Sequence, residues 1–482
     1  MNDERRDNMS IDKTNDIDNE HALAVEEQTN NLTAFEEGGY IIIANATDNN
    51  WVKTYQHSYQ MKSWKNFPDE IKAKTTTEPL YIGWDQTPFK DWGDGSGDVR
   101  YQLEKTKETL EIQGRYKTLS VVFKDFTPHN TSINRSYNIG WRHDGCVSFI
   151  LTGTKGNYYT SAAFDGSNWM SNMGSLLRSK KIREICMLGS HDAGMSVYTS
   201  GTPFGYKCNT LTQTEPIKKQ LEYGARYFDI RPVISAGEYY TGHYGHVLDT
   251  TWQGANGQSI ESIVNEVNDF TAKHKELVIL NLSHTLNTDI GNLSYRPFTQ
   301  KEWDGLFEKL SKLRYLFMRD DITENSDLTK LRVDEYISGR AAVLLIIEGK
   351  IDGKDVQLGK YSGKGFFQQK GFYVYNEYSN STSVRNMAAD QLEKMRNFNR
   401  TYQNYSAFLL SWTLTQTPTQ AATCNLPNIP SILQLASEAN ERVVDFVYNS
   451  VNSKNYPNIL YMDRIADCTG ATLVCAINNK IW

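Results

Sequence analysis

The sequence has 482 residues, 39% of them hydrophobic, and a formal net charge of −6. This length predicts roughly two to three domains with a sizeable core. The Lys and Arg residues are spread evenly among the acidic ones, which argues against a nucleic-acid partner, because binding to phosphates needs clustered basic side chains.

The chain begins with a polar segment. Residues 1–38 are dominated by Asp, Glu and Asn and contain few large apolar side chains. They cannot bury enough apolar surface to offset chain entropy, so we predict a disordered acidic and polar tail. Residues 1–30 also lack the apolar core of a secretory signal.

Short alternating runs fill residues 39–165. Apolar and polar side chains alternate in five of them, and Gly, Asp, Asn and Pro separate the runs: EPLYIGW, DVRYQLE, ETLEIQG, LSVVFKDF and CVSFILTG. This rhythm is typical of an antiparallel β-sandwich, which we predict as a separate domain.

The rhythm changes in residues 166–482, where apolar runs alternate with helical patterns. One helix is predicted from TQKEWDGLFEKLSKL, which opens with a capping box from Thr299 to Glu302, and another from SIESIVNEVNDFTAKH. Eight candidate strands remain: IREICML, ARYFDI, EYYTG, ELVILNL, AAVLLII, GFYVYN, SAFLLSW and NILYM. Eight strands with intervening helices predict an α/β fold, an irregular TIM (β/α)8 barrel.

Polar or ionisable side chains follow nearly every one of these strands, where a barrel carries its chemistry. They are His191 and Asp192, Asp229 and Arg231, His243, Ser283 and His284, Glu348, Asn376 and Tyr378, Trp412, and Asp463. Each alone has an ordinary explanation, such as a helix cap or a packed histidine. Together, two histidines, three aspartates and an arginine suit transfer at phosphorus, with one histidine as base, the other as acid, and a guanidinium on the phosphoryl oxygens.

Three segments resemble a known family. MLGSHDAGM, then YGARYFDIRPV, then a histidine in YYTGHYGH, are similar to the X-domain of phosphatidylinositol-specific phospholipase C in its bacterial and fungal single-domain form. The resemblance covers roughly residues 170–482. It implies cleavage of a phosphodiester lipid at a membrane surface by attack of the inositol 2-hydroxyl, which gives a cyclic inositol phosphate and diacylglycerol.

The resemblance also implies roles for individual residues. His191 matches the general base and Asp463 the carboxylate that orients it, while Asp229 lies in the phosphate cluster. His243 matches the general acid, with Asp192 as its partner. His246, three residues later, stays an alternative acid.

The cofactor expectation follows from Arg231. This residue stands where the calcium-dependent members carry an acidic metal ligand, so we expect a metal-independent enzyme without a cofactor.

The expected head-group contacts depart from the bacterial pattern. Ser283 and His284 stand where a Lys is expected, and Glu348 where an Arg is expected, while Asn376 and Tyr378 are similar to the family's ring contacts. We count all of them, with Trp412, as candidate substrate-binding residues. The departures leave open another polyol or a glycan-linked phosphodiester as substrate.

A binding protein is the alternative to an enzyme. In that case the barrel is catalytically silent and the sandwich docks on a lipid or glycan through aromatic side chains such as Trp51, Tyr55, Tyr59 and Trp64, unless these pack in its core.

The six cysteines are irregularly spaced and predict mostly buried thiols rather than a metal site or a dense disulfide framework. No run approaches the roughly 18 uninterrupted apolar residues of a membrane span, so we expect a protein of the cytoplasm or the membrane periphery, without a transmembrane segment.

Overall fold

The computed structural model describes residues 36–88, 91–247, 251–401 and 407–482. The predicted tail therefore lies outside the described residues as far as residue 35. The first strand begins at Glu36, so residues 36–38 belong to a strand and not to the tail.

Twelve strands lie in the N-terminal part of the described chain. They are β1 Glu36–Thr47, β2 Trp51–Tyr59, β3 Met61–Ser63, β4 Glu70–Ile71, β5 Thr75–Thr76, β6 Leu80–Asp85, β7 Ser96–Leu103, β8 Thr109–Arg115, β9 Thr118–Phe123, β10 Ser136–Gly140, β11 Cys146–Thr154 and β12 Asn157–Thr160.

Strands continue through the C-terminal part. They are β13 Met187–Ser190, β14 Ser200–Gly201, β15 Ala225–Ile230, β16 Pro232–Ser235, β17 Glu238–Val247, β18 Thr251–Ser259, β19 Leu277–Leu282, β20 Leu286–Asn287, β21 Ala342–Ile347, β22 Lys350–Ile351, β23 Lys354–Asp355, β24 Phe366–Gln368, β25 Val374–Tyr375, β26 Ala407–Trp412 and β27 Ile459–Met462.

The described α-helices all lie in this C-terminal part. They are α1 Trp169–Asn172, α2 Gly174–Leu177, α3 Lys207–Thr210, α4 Ile217–Glu222, α5 Ile260–Thr271, α6 Gln300–Leu310, α7 Val333–Tyr336, α8 Val384–Thr401, α9 Pro418–Thr423, α10 Ile432–Asn440, α11 Val443–Ser450 and α12 Thr469–Ile481. The predicted capping box from Thr299 to Glu302 opens α6, as expected.

The N-terminal strands form two six-stranded sheets that share one apolar cluster. Alternate residues of β7 are buried, which confirms the period of two that predicted this strand. One expectation is wrong, because β1 pairs with β11 in parallel, so this part is not wholly antiparallel. Trp51 and Trp64 are buried in the cluster, whereas Tyr55 and Tyr59 are exposed. The prediction of a separate sandwich domain stays a prediction.

The first sheet also packs against the C-terminal part. Ile41 and Ile43 of β1 belong to the cluster between the sheets, while Ile42 and Ala44 belong to the large core of the C-terminal part. Strand β1 is therefore buried on both faces, which explains its continuous apolar run.

Eight parallel strands form the C-terminal sheet in the order β24-β21-β19-β15-β13-β27-β26-β25. Among these eight strands, neighbours in the sheet are thus also neighbours along the chain, and β27, the last of them, pairs with β13, the first. The circle of strand pairs is interrupted between β24 and β25, as in an eight-stranded barrel with one unpaired seam. The prediction that EYYTG is one of the eight is wrong, because this segment lies in β17, within the side sheet β14-β18-β17-β16-β20. The eighth position belongs to β24, whose three residues are too few for a periodic signal.

One cysteine pair departs from the expectation of free thiols. Cys208 and Cys424 form a disulfide across 216 residues of sequence, beside α3 and α9. Cys468 and Cys475, the closest pair in sequence, are both free. The described helices include none that is both long and apolar enough to cross a membrane.

Candidate active site

The strand ends at the centre of the sheet bring three ionisable side chains together, and a fourth joins them from the side sheet. Strand β13 pairs with β15 on one side and with β27 on the other, so the residues that follow these strands are neighbours. His191, Arg231 and Asp463 consequently line one cavity of about 660 Å³, and His243 reaches the same cavity from β17.

His191 is held between a carboxylate and a guanidinium. Its Nδ1 lies 2.7 Å from Oδ1 of the buried Asp463, and Arg231 Nη2 donates to its Nε2 across 2.9 Å. Because an arginine only donates, Nε2 carries a lone pair and Nδ1 carries the proton. Burial lowers the pKa of His191, but the Asp463 carboxylate outweighs it and the net shift is upward. The ring therefore presents a basic nitrogen towards the cavity.

His243 and Asp192 form a second pair of the same kind, with 2.7 Å between Nδ1 and Oδ2. Asp192 is fully buried and its φ is 40°, in the left-handed region that Asp tolerates better than most residues. The chain turns at this residue, so that His191 contacts Asp463 while Asp192 contacts His243. The glycine at position 194 is required by close packing, since a Cβ there would lie 2.2 Å from Oγ1 of Thr241 in β17.

Asp229 is the buried acceptor beneath this cavity. It accepts from Arg231 Nε at 2.9 Å, from the Tyr461 hydroxyl at 2.7 Å and from the Ser283 hydroxyl at 3.0 Å. Burial alone would raise the pKa of Asp229, but the Arg231 charge outweighs it and holds this pKa well below the usual range. The carboxylate is thus a fixed anion that positions the guanidinium.

Arg231 contacts two carboxylates and one histidine of the site. Besides Asp229 and His191, its Nη1 lies 3.6 Å from Oδ2 of Asp192. Burial disfavours the charge, but the carboxylates of Asp229 and Asp192 outweigh it and raise the pKa of Arg231. The guanidinium is therefore a permanent cation between the two histidines.

The candidate substrate-binding residues divide into two groups. His284, Glu348, Asn376 and Tyr378 line the cavity. Ser283 is buried beneath it, where its hydroxyl donates to Asp229 and accepts from His284 Nδ1 at 2.7 Å.

The structure corrects the expectation for Trp412, which is fully buried in the core. Its Nε1 donates to the backbone oxygen of Ala439, so the indole has no surface left to contact a substrate.

The alternative acid, His246, lies away from the site. It is three residues from His243 on the same strand, so its side chain projects from the opposite face. Its ring is exposed and contacts Trp252 at 4.2 Å between centroids. His246 does not line the cavity, whereas His243 does.

Sequence reasoning missed several residues of the cavity. Tyr461 lies in the segment NILYMDRI, two residues before Asp463, so it points to the same side of β27, and this spacing is a signal that could have identified it. Glu377 and Tyr373 flank the expected Asn376. Asn209 and Thr212 reach the cavity from the segment tied by the Cys208 disulfide, for which the sequence offers no signal.

Each carboxylate at the centre of the site already contacts a histidine or the guanidinium of Arg231. Asp463 and Asp192 each contact a histidine, and Asp229 contacts Arg231. Within the described ranges, no group of three or more His, Cys, Asp or Glu side chains is arranged to hold a metal ion. An added divalent cation would meet the guanidinium between Asp192 and Asp229 and be repelled by it.

Two histidine–carboxylate pairs lie on either side of a buried guanidinium, an arrangement suited to acid–base chemistry. Comparison with known proteins found chains that are similar to this one. A curated protein of Dictyostelium discoideum, named PI-PLC X-box domain-containing protein, is 26% identical over 145 residues, which cover 27% of this chain and 18% of the relative. This match bears out the resemblance of the chain to the phospholipase C X-domain family. The chain spans less than a fifth of that curated relative. No family model matches.

Two solved structures are also similar. The phosphatidylinositol-specific phospholipase C of Listeria monocytogenes has a TM-score of 0.43 and 20% identity, and the match covers 66% of this chain and 99% of that one. The Staphylococcus aureus phospholipase C of the same specificity has a TM-score of 0.43 and 15% identity, with coverage of 64% and 97%.

Proposed function

We propose that this chain is a metal-independent phosphodiesterase that cleaves a phosphoinositide-like lipid at a membrane surface. The observation that carries the proposal is the contact of Arg231 with His191 and the carboxylate partner of His243, at 2.9 and 3.6 Å. A fixed cation between a candidate base and a candidate acid suits phosphoryl transfer.

His191 is the proposed general base. When Arg231 Nη2 donates to the phosphoryl oxygens instead of to His191, Nε2 takes the proton of the ring hydroxyl next to the phosphodiester, and the hydroxyl oxygen forms a new bond to phosphorus. Asp463 stabilises the imidazolium that results, because its carboxylate lies 2.7 Å from the other ring nitrogen.

His243 is the proposed general acid. As the bond between phosphorus and the glycerol oxygen breaks, His243 donates a proton to that oxygen, and Asp192 holds the ring in position. The proton count balances, since one histidine gains the proton that the other loses. The products are a cyclic inositol phosphate and diacylglycerol.

Arg231 supplies the positive charge for the phosphoryl oxygens. It is anchored on Asp229, so the charge is preorganised and costs no rearrangement during the reaction. This role is the one that a calcium ion would otherwise fill.

Phosphorus NMR tests the proposal directly. The protein is incubated with phosphatidylinositol vesicles, and we expect a cyclic phosphodiester signal that the His191→Ala variant fails to produce. A panel of other polyol phosphodiester lipids extends the test. Folded protein that releases no cyclic phosphate from any of them would refute the enzyme and favour a catalytically silent binding protein.

A further inference from the structure

The charges of the cavity are not balanced. Three carboxylates in or beneath it are paired with a cation or a histidine, namely Asp463, Asp192 and Asp229. Two more acidic side chains, Glu348 and Glu377, line the cavity without an ion pair to any described residue. The site therefore holds surplus negative charge although its proposed substrate is a phosphodiester anion.

Glu348 is held in place by neutral donors rather than by a cation. Asn281 Nδ2 donates to its Oε2 across 3.1 Å. Burial and the Asp229 charge raise the pKa of Glu348, and together they outweigh the neutral donors and the Arg231 charge, which lower it. A positively charged substrate group at this place would stabilise the carboxylate, whereas the phosphate would be repelled by it.

The second acidic residue stands in an aromatic wall. Tyr375 donates its hydroxyl to Glu377 Oε2 across 2.8 Å, and Tyr373 and Tyr378 line the cavity with 38% and 59% of their surface exposed. Aromatic faces beside a carboxylate attract organic cations through both the ring quadrupole and the charge. Glu348 and this wall therefore make one side of the cavity suited to a cation.

The opposite side is suited to the phosphate. Arg231 follows β15 and Glu348 follows β21, and the single strand β19 lies between them. Two strand spacings separate the two positions by roughly 10 Å. A ring-sized head group can reach from a phosphate at Arg231 to a cation at Glu348 over a distance of this order.

We propose that the head group of the substrate is zwitterionic, a polyol ring whose phosphodiester binds at Arg231 and whose cationic nitrogen binds between Glu348, Glu377 and the exposed tyrosines. This inference rests on the proposed function and specifies its substrate class. An organic cation is favoured over a metal ion, because the aromatic side chains beside the carboxylates attract organic cations.

Binding to the His191→Ala protein tests the inference without turnover. The probes are inositol phosphodiesters in which one ring hydroxyl is replaced by an amino group, one regioisomer at a time, and the unsubstituted inositol phosphodiester, titrated by calorimetry. We expect at least one amino isomer to bind about tenfold more tightly than the unsubstituted compound, as a charged partner replaces a hydroxyl at a carboxylate. Equal binding of all isomers and the unsubstituted compound would overturn the inference.

Variants then test whether Glu348 and Glu377 cause the preference for the amino isomer. In the same background, Glu348→Gln with Glu377→Gln should reduce the preference for the amino isomer over the unsubstituted compound to less than about threefold, because the carboxylates proposed to hold the amine are gone. The single change Glu377→Gln should reduce the preference for the amino isomer in part. Because Glu377 is exposed, this variant is expected to fold even if the double variant does not. Glu393→Gln, at an exposed position of α8 outside the cavity, is the matched control and should change nothing. A loss of affinity that is equal for both compounds would overturn the assignment.

Turnover by the unaltered protein separates the two proposals. Cleavage of the unsubstituted and amino lipids at equal kcat/KM overturns the zwitterionic substrate and leaves the phosphodiesterase intact. Preferential binding of an amino compound that depends on Glu348, without cleavage of any lipid, supports the cation site and refutes the enzyme.

Discussion

Asp463→Asn tests the central pair of the site with little change in shape. The asparagine can still accept from His191 Nδ1 through its oxygen, but the negative charge is gone. The reversed amide would donate to Nδ1 and force the proton onto Nε2, where it would face Arg231 Nη2 at 2.9 Å. The structure therefore favours the amide orientation that preserves the tautomer, and the charge is the main loss.

The expected magnitude follows from the geometry. With 2.7 Å between Nδ1 and Oδ1, the two charge centres of the imidazolium and carboxylate lie about 4 Å apart. Unit charges at this separation interact by about 4 kcal/mol at an effective dielectric constant near 20. If His191 becomes charged in the transition state, the loss corresponds to a fall in kcat of about 10³-fold.

The pH profile provides a second readout. His191 acts as a base only when neutral, so activity falls on the acidic side as pH drops through its pKa. Asp463 raises this pKa. Removing the charge lowers the pKa and should move the acidic limb of kcat/KM to lower pH.

Turnover of a soluble phosphodiester lipid across a pH series checks both effects, with melting curves to verify folding. Asp467→Asn is the matched control, because Asp467 is exposed on the same loop and its only described contact is to the backbone nitrogen of Thr469, which an asparagine oxygen can also accept. If Asp463→Asn keeps kcat within about threefold and leaves the acidic limb in place, Asp463 does not stabilise a charged His191 and the proposed base is wrong.

Three further outcomes are expected. His243→Ala should slow substrates with alkoxide leaving groups at least about 10²-fold more than those with phenolate leaving groups, and His246→Ala should show no such difference; the reverse result would move the acid to His246. Activity should survive a calcium chelator and fall about 10² to 10³-fold in Arg231→Ala, whereas specific rescue of chelated protein by calcium would refute the role of the arginine. A digest without reductant should yield one peptide pair joined through Cys208 and Cys424, and Cys208→Ser should lower the unfolding free energy by roughly 2 to 4 kcal/mol; two free thiols at these positions in air-oxidised protein would contradict the pairing.

The sequence was informative where the side chains follow a local period. Continuous apolar runs such as Ala342–Ile347 predict buried strands, and the capping box at Thr299 predicts the start of α6. The three residues of β24 carry no period at all, while EYYTG has a period but pairs in a side sheet. Pattern alone predicts that a strand exists, because burial of one face sets the period, but not which sheet it joins.

The same limit applies to the candidate site. The strand ends predict that His191, Arg231 and Asp463 are close, since parallel neighbours present their ends at one rim. His243 reaches this rim from an antiparallel hairpin, and the hairpin can approach only because position 194 has no side chain. Which carboxylate contacts which histidine depends on such packing between distant segments. The surplus charge of Glu348 could therefore be recognised only after the other carboxylates had been paired in three dimensions.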